Sequence, residues 1–197
     1  MSFQTLPGET PIDDISGLRI KGISTRSELN AAEAENVLKA ALKYLASRPS
    51  RRVAKFDVAW MLRLHREMFG KVWDWAGHIR QRDLNIGVPF HQVEPQLHGL
   101  AEDLATWQKF GHDLVEQAAR LHFRAVKIHP FLNGNGRWSR MLANILLKQN
   151  RSPIIEWPEV VIGVESVIRD EYIAAIKQAD AGDEEALIAL HRRFLGR

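Results

Sequence analysis

Apolar residues recur at helical spacing along most of this chain, and the pattern divides into about seven segments. Thr25-Arg26-Ser27-Glu28 is a capping-box pattern, so a helix is predicted over about 25–46, stopped by Pro49. Its apolar stripe reads Ala31, Leu38, Leu42 and Leu45, with Glu35 on the stripe's edge. A second helix is predicted over 56–69, carrying Phe56, Trp60, Leu64 and Met68 and closed by Gly70. Between Ile79 and His91 the helical period gives way to alternation: Leu84, Ile86, Val88 and Phe90 around Asn85, Gly87 and Pro89, the pattern of a short hairpin. Pro95 suits the first turn of a helix carrying Leu97, Leu100, Leu104 and Trp107. Further helices are predicted over 113–128, 137–148, 165–179 and 183–195, with Asn150, Pro153 and Pro158 marking a loop. The expected fold is mostly α with a short β-hairpin.

A length of 197 residues suits one domain with a full-sized core. Residues 1–23, with Pro7, Gly8, Pro11, Gly17 and Gly22, read as an irregular arm packed by Leu6, Ile15, Leu18 and Ile20; 24–197 form the expected domain. The formal net charge of +3 is mild and the basic residues are spread along the chain. That permits an acidic partner without arguing for direct nucleic-acid binding. With no cysteine there is neither a disulfide framework nor a thiolate metal site. No leader pattern and no membrane-length apolar run is seen, so a cytoplasmic protein with no membrane contact is expected. The six tryptophans are scattered, and Trp73 and Trp75 are expected in the core with Ala76. His65 reads as a core or surface residue, and His91 and His98 as surface.

The candidate chemistry lies between His129 and Arg140. Pro130 biases His129 away from helical backbone, so the preceding helix should end there. Gly134 and Gly136 give a permissive loop, and a new helix follows with Met141, Leu142, Ile145 and Leu146 on one face. A loop entering a helix N-terminus presents main-chain N–H groups and a positive dipole end, which together make an anion site. Arg137 and Arg140 lie three apart in the first turns, and forked guanidiniums suit phosphate oxygens. His129 stands at the lip of this pocket, where a base is useful.

The stretch His129-Pro130-Phe131-Leu132-Asn133-Gly134-Asn135-Gly136-Arg137-Trp138-Ser139-Arg140 resembles the signature of the Fic (filamentation induced by cAMP) family, His-Pro-Phe-x-Asp/Glu-Gly-Asn-Gly-Arg-x-x-Arg. Trp73-Asp74-Trp75-Ala76-Gly77 and the tail from Tyr172 to Asp183 are also similar to Fic domains, in an order resembling the subgroup called mobile mystery protein B. The resemblance implies a protein adenylyltransferase, which moves AMP from ATP to a Ser, Thr or Tyr hydroxyl of a target protein. It implies that His129 is the base. Gly134, Asn135 and Gly136 would cradle the phosphates, with Arg137 on the inner phosphates and Arg140 on the γ-phosphate. It implies Mg²⁺, normally held by an acid where this chain has Asn133, whose amide oxygen is a neutral ligand. It implies a flap, here Asn85, Ile86, Gly87 and Val88, that adds a strand from the target. It also implies a small helix-turn-helix partner.

Many relatives of this type carry an inhibitory helix with Ser/Thr-x-x-x-Glu-Gly/Asn. Glu35-Asn36 matches the end of that pattern and Ala31 departs at its start. By resemblance, Glu35 would pair with Arg140 and block the γ-phosphate site; by periodicity alone, Glu35 is a rim carboxylate. Other readings are another nucleotidyl transfer, removal of AMP, or a nucleotide-binding module of weak activity.

Overall fold

The computed structural model describes residues 17–23, 25–158 and 166–196. The arm positions Leu6 and Ile15, and the predicted helix start at Glu165, lie outside the described residues. Seven α-helices are present among the described residues: α1 (Arg26–Leu45), α2 (Val58–Phe69), α3 (Val93–Phe110), α4 (Leu114–Ile128), α5 (Asn135–Gln149), α6 (Val167–Asp180) and α7 (Glu185–Arg193). The mostly helical expectation holds.

The centre of the fold is the pair α4 and α5, joined by the short loop that holds the signature. Trp138, Leu142, Ile145, Leu146 and Leu147 of α5 are all fully buried, so this helix is wrapped on every side. α1 and α2 pack beside it, α3 lies against α4, and α6 and α7 close the other flank of α4. Caps fix where several helices begin. Thr25 and Glu28 form the predicted capping box, and Asp57 accepts from Trp60 N at 2.7 Å. Such caps each contribute about 1 kcal/mol.

α1 docks on a different face from the predicted one. Leu29, Glu33, Asn36, Ala40 and Tyr44 are buried, while Leu38 and Leu42 are 58% and 59% exposed. The buried spacing of four, three, four and four residues is still helical. Two of its five members are polar: Leu29, Ala40 and Tyr44 join the apolar core, while Glu33 reaches Arg137 of the signature and Asn36 bonds Ala32 O.

The expected hairpin does not form. Residues 79–89 contain bends but no strand pairing, and a short 3₁₀ turn at Phe90–Gln92 follows. The alternation itself survives: Leu84, Ile86 and Val88 are half-buried, and Asn85, Gly87 and Pro89 are exposed. Side-chain contacts hold this segment where cross-strand bonds were expected. Phe90 N donates to Asp83 Oδ1 at 2.7 Å, and Arg80 binds the carbonyls of Arg82 and Val88. The region is therefore a bent loop, held by side chains, rather than a hairpin.

Candidate active site

α4 ends where Pro130 requires it to end. His129 is the C-cap, with left-handed backbone at φ 53° and ψ 60°, and its N–H bonds Ala125 O at 3.2 Å. His129 Nδ1 donates to Val126 O at 3.3 Å. A carbonyl can only accept, so the proton sits on Nδ1 and the lone pair on Nε2. Burial, together with the nearby Arg80 cation, lowers the His129 pKa to about 4 against the pull of the Val126 bond. The ring is thus neutral and able to accept a proton at neutral pH.

The loop after it is braced from within. Asn135 Oδ1 accepts from Phe131 N and Asn135 Nδ2 donates to Phe131 O, both at 2.9 Å. The Asn135 side chain is therefore a staple for the loop, and only its main chain can serve an anion. Gly134 has φ 80°, and a Cβ there would sit 2.7 Å from the Phe69 ring and 3.2 Å from His65 Nε2. Only glycine fits this position. α5 starts at Asn135, and its first internal bond runs from Trp138 N to Gly134 O at 2.9 Å. The first N–H groups of α5 have no partner inside the helix and face the loop.

His65 supports the loop from below. It stacks on Phe131 with ring centroids 3.6 Å apart, donates from Nε2 to Asn133 O at 3.0 Å, and accepts from Gly77 N at 3.0 Å. The sequence left it open between core and surface; it is a core residue, and it joins the Trp73–Gly77 stretch to the signature. Burial lowers its pKa to about 3.

The two signature arginines diverge. Arg137 lies over the Phe69 ring at 4.8 Å and pairs with Glu33 Oε2 at 2.7 Å. Arg140 turns the other way, over the Tyr172 ring at 5.8 Å, with Nη1 3.4 Å from where a Gly136 Cβ would stand. Beneath Tyr172 runs a buried chain: Tyr172 O–H to His122 Nε2 at 3.0 Å, His122 Nδ1 to His191 Nε2 at 3.1 Å, and His191 Nδ1 to Leu187 O at 2.8 Å. Burial lowers the pKa of both histidines and keeps both rings neutral, and the terminal carbonyl then fixes the direction of every proton in that chain.

Glu35 does not meet Arg140. It is solvent-exposed and pairs with Lys39 at 2.5 Å, one turn along α1, and that lysine lowers its pKa. The carboxylate that does reach the signature is Glu33, buried to 2% exposure, which also accepts from Trp73 Nε1 at 2.6 Å. The sequence pattern favoured Glu35, which precedes Asn36, over Glu33; the docking angle of α1 reverses that choice.

No cluster of three or more His, Cys, Asp or Glu able to hold a metal is present among the described residues. Asn133 Oδ1 accepts from Gly134 N at 2.5 Å. One neutral oxygen, already engaged, does not make a resident Mg²⁺ site. Arg80 was also not singled out from the sequence. It is a buried guanidinium bound to the His129 carbonyl at 2.7 Å, and a basic residue shortly after a turn gives no signal of that.

Residues 55–147 match the Fic/DOC family profile. Protein adenylyltransferase fic-1 of Caenorhabditis briggsae is 32% identical over 176 residues, covering 85% of this chain and 32% of that protein. Protein adenylyltransferase Fic of Drosophila melanogaster is 32% identical over 138 residues, covering 66% of this chain and 27% of that protein. The chain thus spans about a third of the length of these curated relatives. Among solved structures, the VirB-translocated effector BepC of Bartonella tribocorum, with bound AMPPNP, superposes with TM-score 0.68 at 21% identity, covering 93% of this chain and 94% of that one. A segment of Fic-1 from Caenorhabditis elegans superposes with TM-score 0.65 at 25% identity, covering 89% and 50%. No helix among the described residues is long and apolar enough to cross a membrane.

Proposed function

We propose that the chain, whose residues 55–147 match the Fic/DOC family profile, is a protein adenylyltransferase that transfers AMP from ATP to a hydroxyl side chain of a target protein. The observation that carries this reading is the neutral, buried His129 set beside a glycine loop that opens a helix. In the reaction, His129 Nε2 takes the proton from the incoming hydroxyl. The oxygen attacks the α-phosphorus in line, the bond to the bridging oxygen breaks, and pyrophosphate leaves. AMP stays on the target through a new P–O bond. The loop N–H groups orient the phosphates, and the two arginines flank them from opposite sides. Mg²⁺, if carried in by the nucleotide, gains at most the Asn133 oxygen from this loop, and no step above runs through it.

An intact base favours a transferase over a plain nucleotide-binding module, which needs no proton acceptor. The flap at Asn85, Ile86, Gly87 and Val88, with Ile86 and Val88 half-buried and Asn85 and Gly87 exposed, leaves main chain open to an acceptor segment. A cytoplasmic setting, where ATP is available, belongs to the same reading.

The site is also self-restrained, with Glu33 as the residue responsible in place of Glu35. Arg137 cannot give its fork fully to both Glu33 and a phosphate, so the α1 carboxylate competes with nucleotide. The test is parallel incubation with α-labelled and γ-labelled ATP. Covalent label from the α position only supports AMP transfer. Label from the γ position would indicate phosphoryl transfer instead, and no label in any variant would leave only the binding module.

A further inference from the structure

Arg80 sits behind the site with its side chain fully buried, and its fork reaches two separate parts of the machinery. Nε donates to His129 O at 2.7 Å. Nη1 donates to Arg82 O at 2.8 Å and Nη2 to Val88 O, both on the flap segment. Its main-chain N–H adds a bond to Pro130 O at 2.9 Å. One residue thus holds two consecutive carbonyls, those of His129 and Pro130, and two carbonyls of the flap segment.

From the outer side, Gly87 closes the same unit. Its φ is 100°, and a Cβ there would lie 2.6 Å from His129 Cβ and 3.0 Å from Arg80 Nη2. The flap backbone therefore rests directly on the histidine and on the guanidinium. His129 itself has a left-handed backbone that non-glycine residues seldom keep unless their surroundings impose it. The bond from Arg80 to its carbonyl is part of what imposes it.

We propose that Arg80 is a positioning residue that sets the base and the acceptor-binding flap in one register. It touches neither nucleotide nor acceptor. It fixes the direction of the His129 ring through the His129 carbonyl, and the height of the flap through Val88 and Arg82. Only a forked side chain can do both, because lysine offers one point donor and reaches one carbonyl at a time. The consequence is coupling: an acceptor segment that pairs with the flap is placed against the base by the same group that aims the base. This deepens the transferase reading and rests on it for its kinetic arm only.

The experiment compares wild type with Arg80→Lys and with Gly87→Ala, the latter pushing the flap off the histidine from the exposed side. ATP affinity should stay within about twofold. The rate constant for transfer at saturation should fall about 10²-fold, the scale expected for an ångström of misplacement. The KM for the acceptor should rise. A merely smaller folded fraction would lower the rate while leaving KM unchanged. Independently of any activity, NMR should find faster hydrogen exchange at the Ile86 and Gly87 amides and a shifted His129 ring titration in both variants. If the folded variants keep wild-type exchange and titration, the positioning role is wrong. If those readouts move while wild type transfers no AMP, the positioning role stands and the transferase reading fails.

Discussion

Glu33 Oε2 lies 2.7 Å from Arg137 Nη2, across 104 residues of sequence. The same carboxylate accepts from Trp73, so it is held on two sides and points its charge at the first arginine of the signature. A buried carboxylate is retained only where partners offset its desolvation, and this one has a cation and an indole N–H.

Glu33→Gln should keep the Trp73 bond through its amide oxygen and lose the charge on Arg137. ATP affinity should rise by on the order of tenfold, the scale of one charge-assisted contact. The change should also cost about 2 kcal/mol of stability, a fall in Tm of roughly 4–8 °C for a chain of this size. Calorimetric titration with ATP and a thermal melt check both. Unchanged affinity in a folded variant would remove Glu33 from nucleotide control.

Glu35→Gly should leave ATP affinity and transfer unchanged, because Glu35 faces solvent and pairs only with Lys39 among the contacts described. A rise in transfer comparable to that of Glu33→Gln would restore Glu35 as the inhibitory residue and imply that α1 docks at another angle.

The contrast between these two glutamates marks where the sequence was legible. The signature loop could be read directly: Pro130 ends α4, Gly134 supplies the positive φ, and α5 follows. The helix count followed from periodicity. The docked face of α1 did not, since Leu38 and Leu42 carried the apolar signal but lie in solvent, while Glu33 and Asn36 are buried. Polar residues that face a site reverse the usual inside–outside rule, and a periodicity argument then selects the wrong face. The flap misled in a related way. Leu84, Ile86 and Val88 alternate as a strand would, but their backbone is held by Arg80 and Asp83, which a pattern of apolar positions cannot reveal. The Tyr172–His122–His191 chain joins three helices and has no local spacing to find.

Acid should destabilise the fold earlier than carboxylate titration alone would require. His65 titrates at about 3 and His129 and His191 at about 4 in the folded chain, and His122 is also lowered by burial. Unfolded histidine titrates near 6.5, so the unfolded chain binds more protons between about pH 6.5 and 4. The contribution is complete above about pH 6.5 and is lost as pH falls through that window. Denaturant midpoints measured from pH 8 to 4.5 should be flat at first and fall below about 6.5. A midpoint constant down to pH 5 would mean that these rings are charged in the fold.

If His129 is the base of an AMP transfer, losing its ring must stop the chemistry and spare nucleotide binding. The most direct measurement is covalent labelling from α-labelled ATP in Glu33→Gln and in the double variant Glu33→Gln/His129→Ala, with ATP affinity measured in both. The expected result is matching affinity, strong labelling in the single variant, and a loss of about 10²–10⁴-fold in the double, the range for removing a general base. Equal labelling of the two proteins would contradict the account.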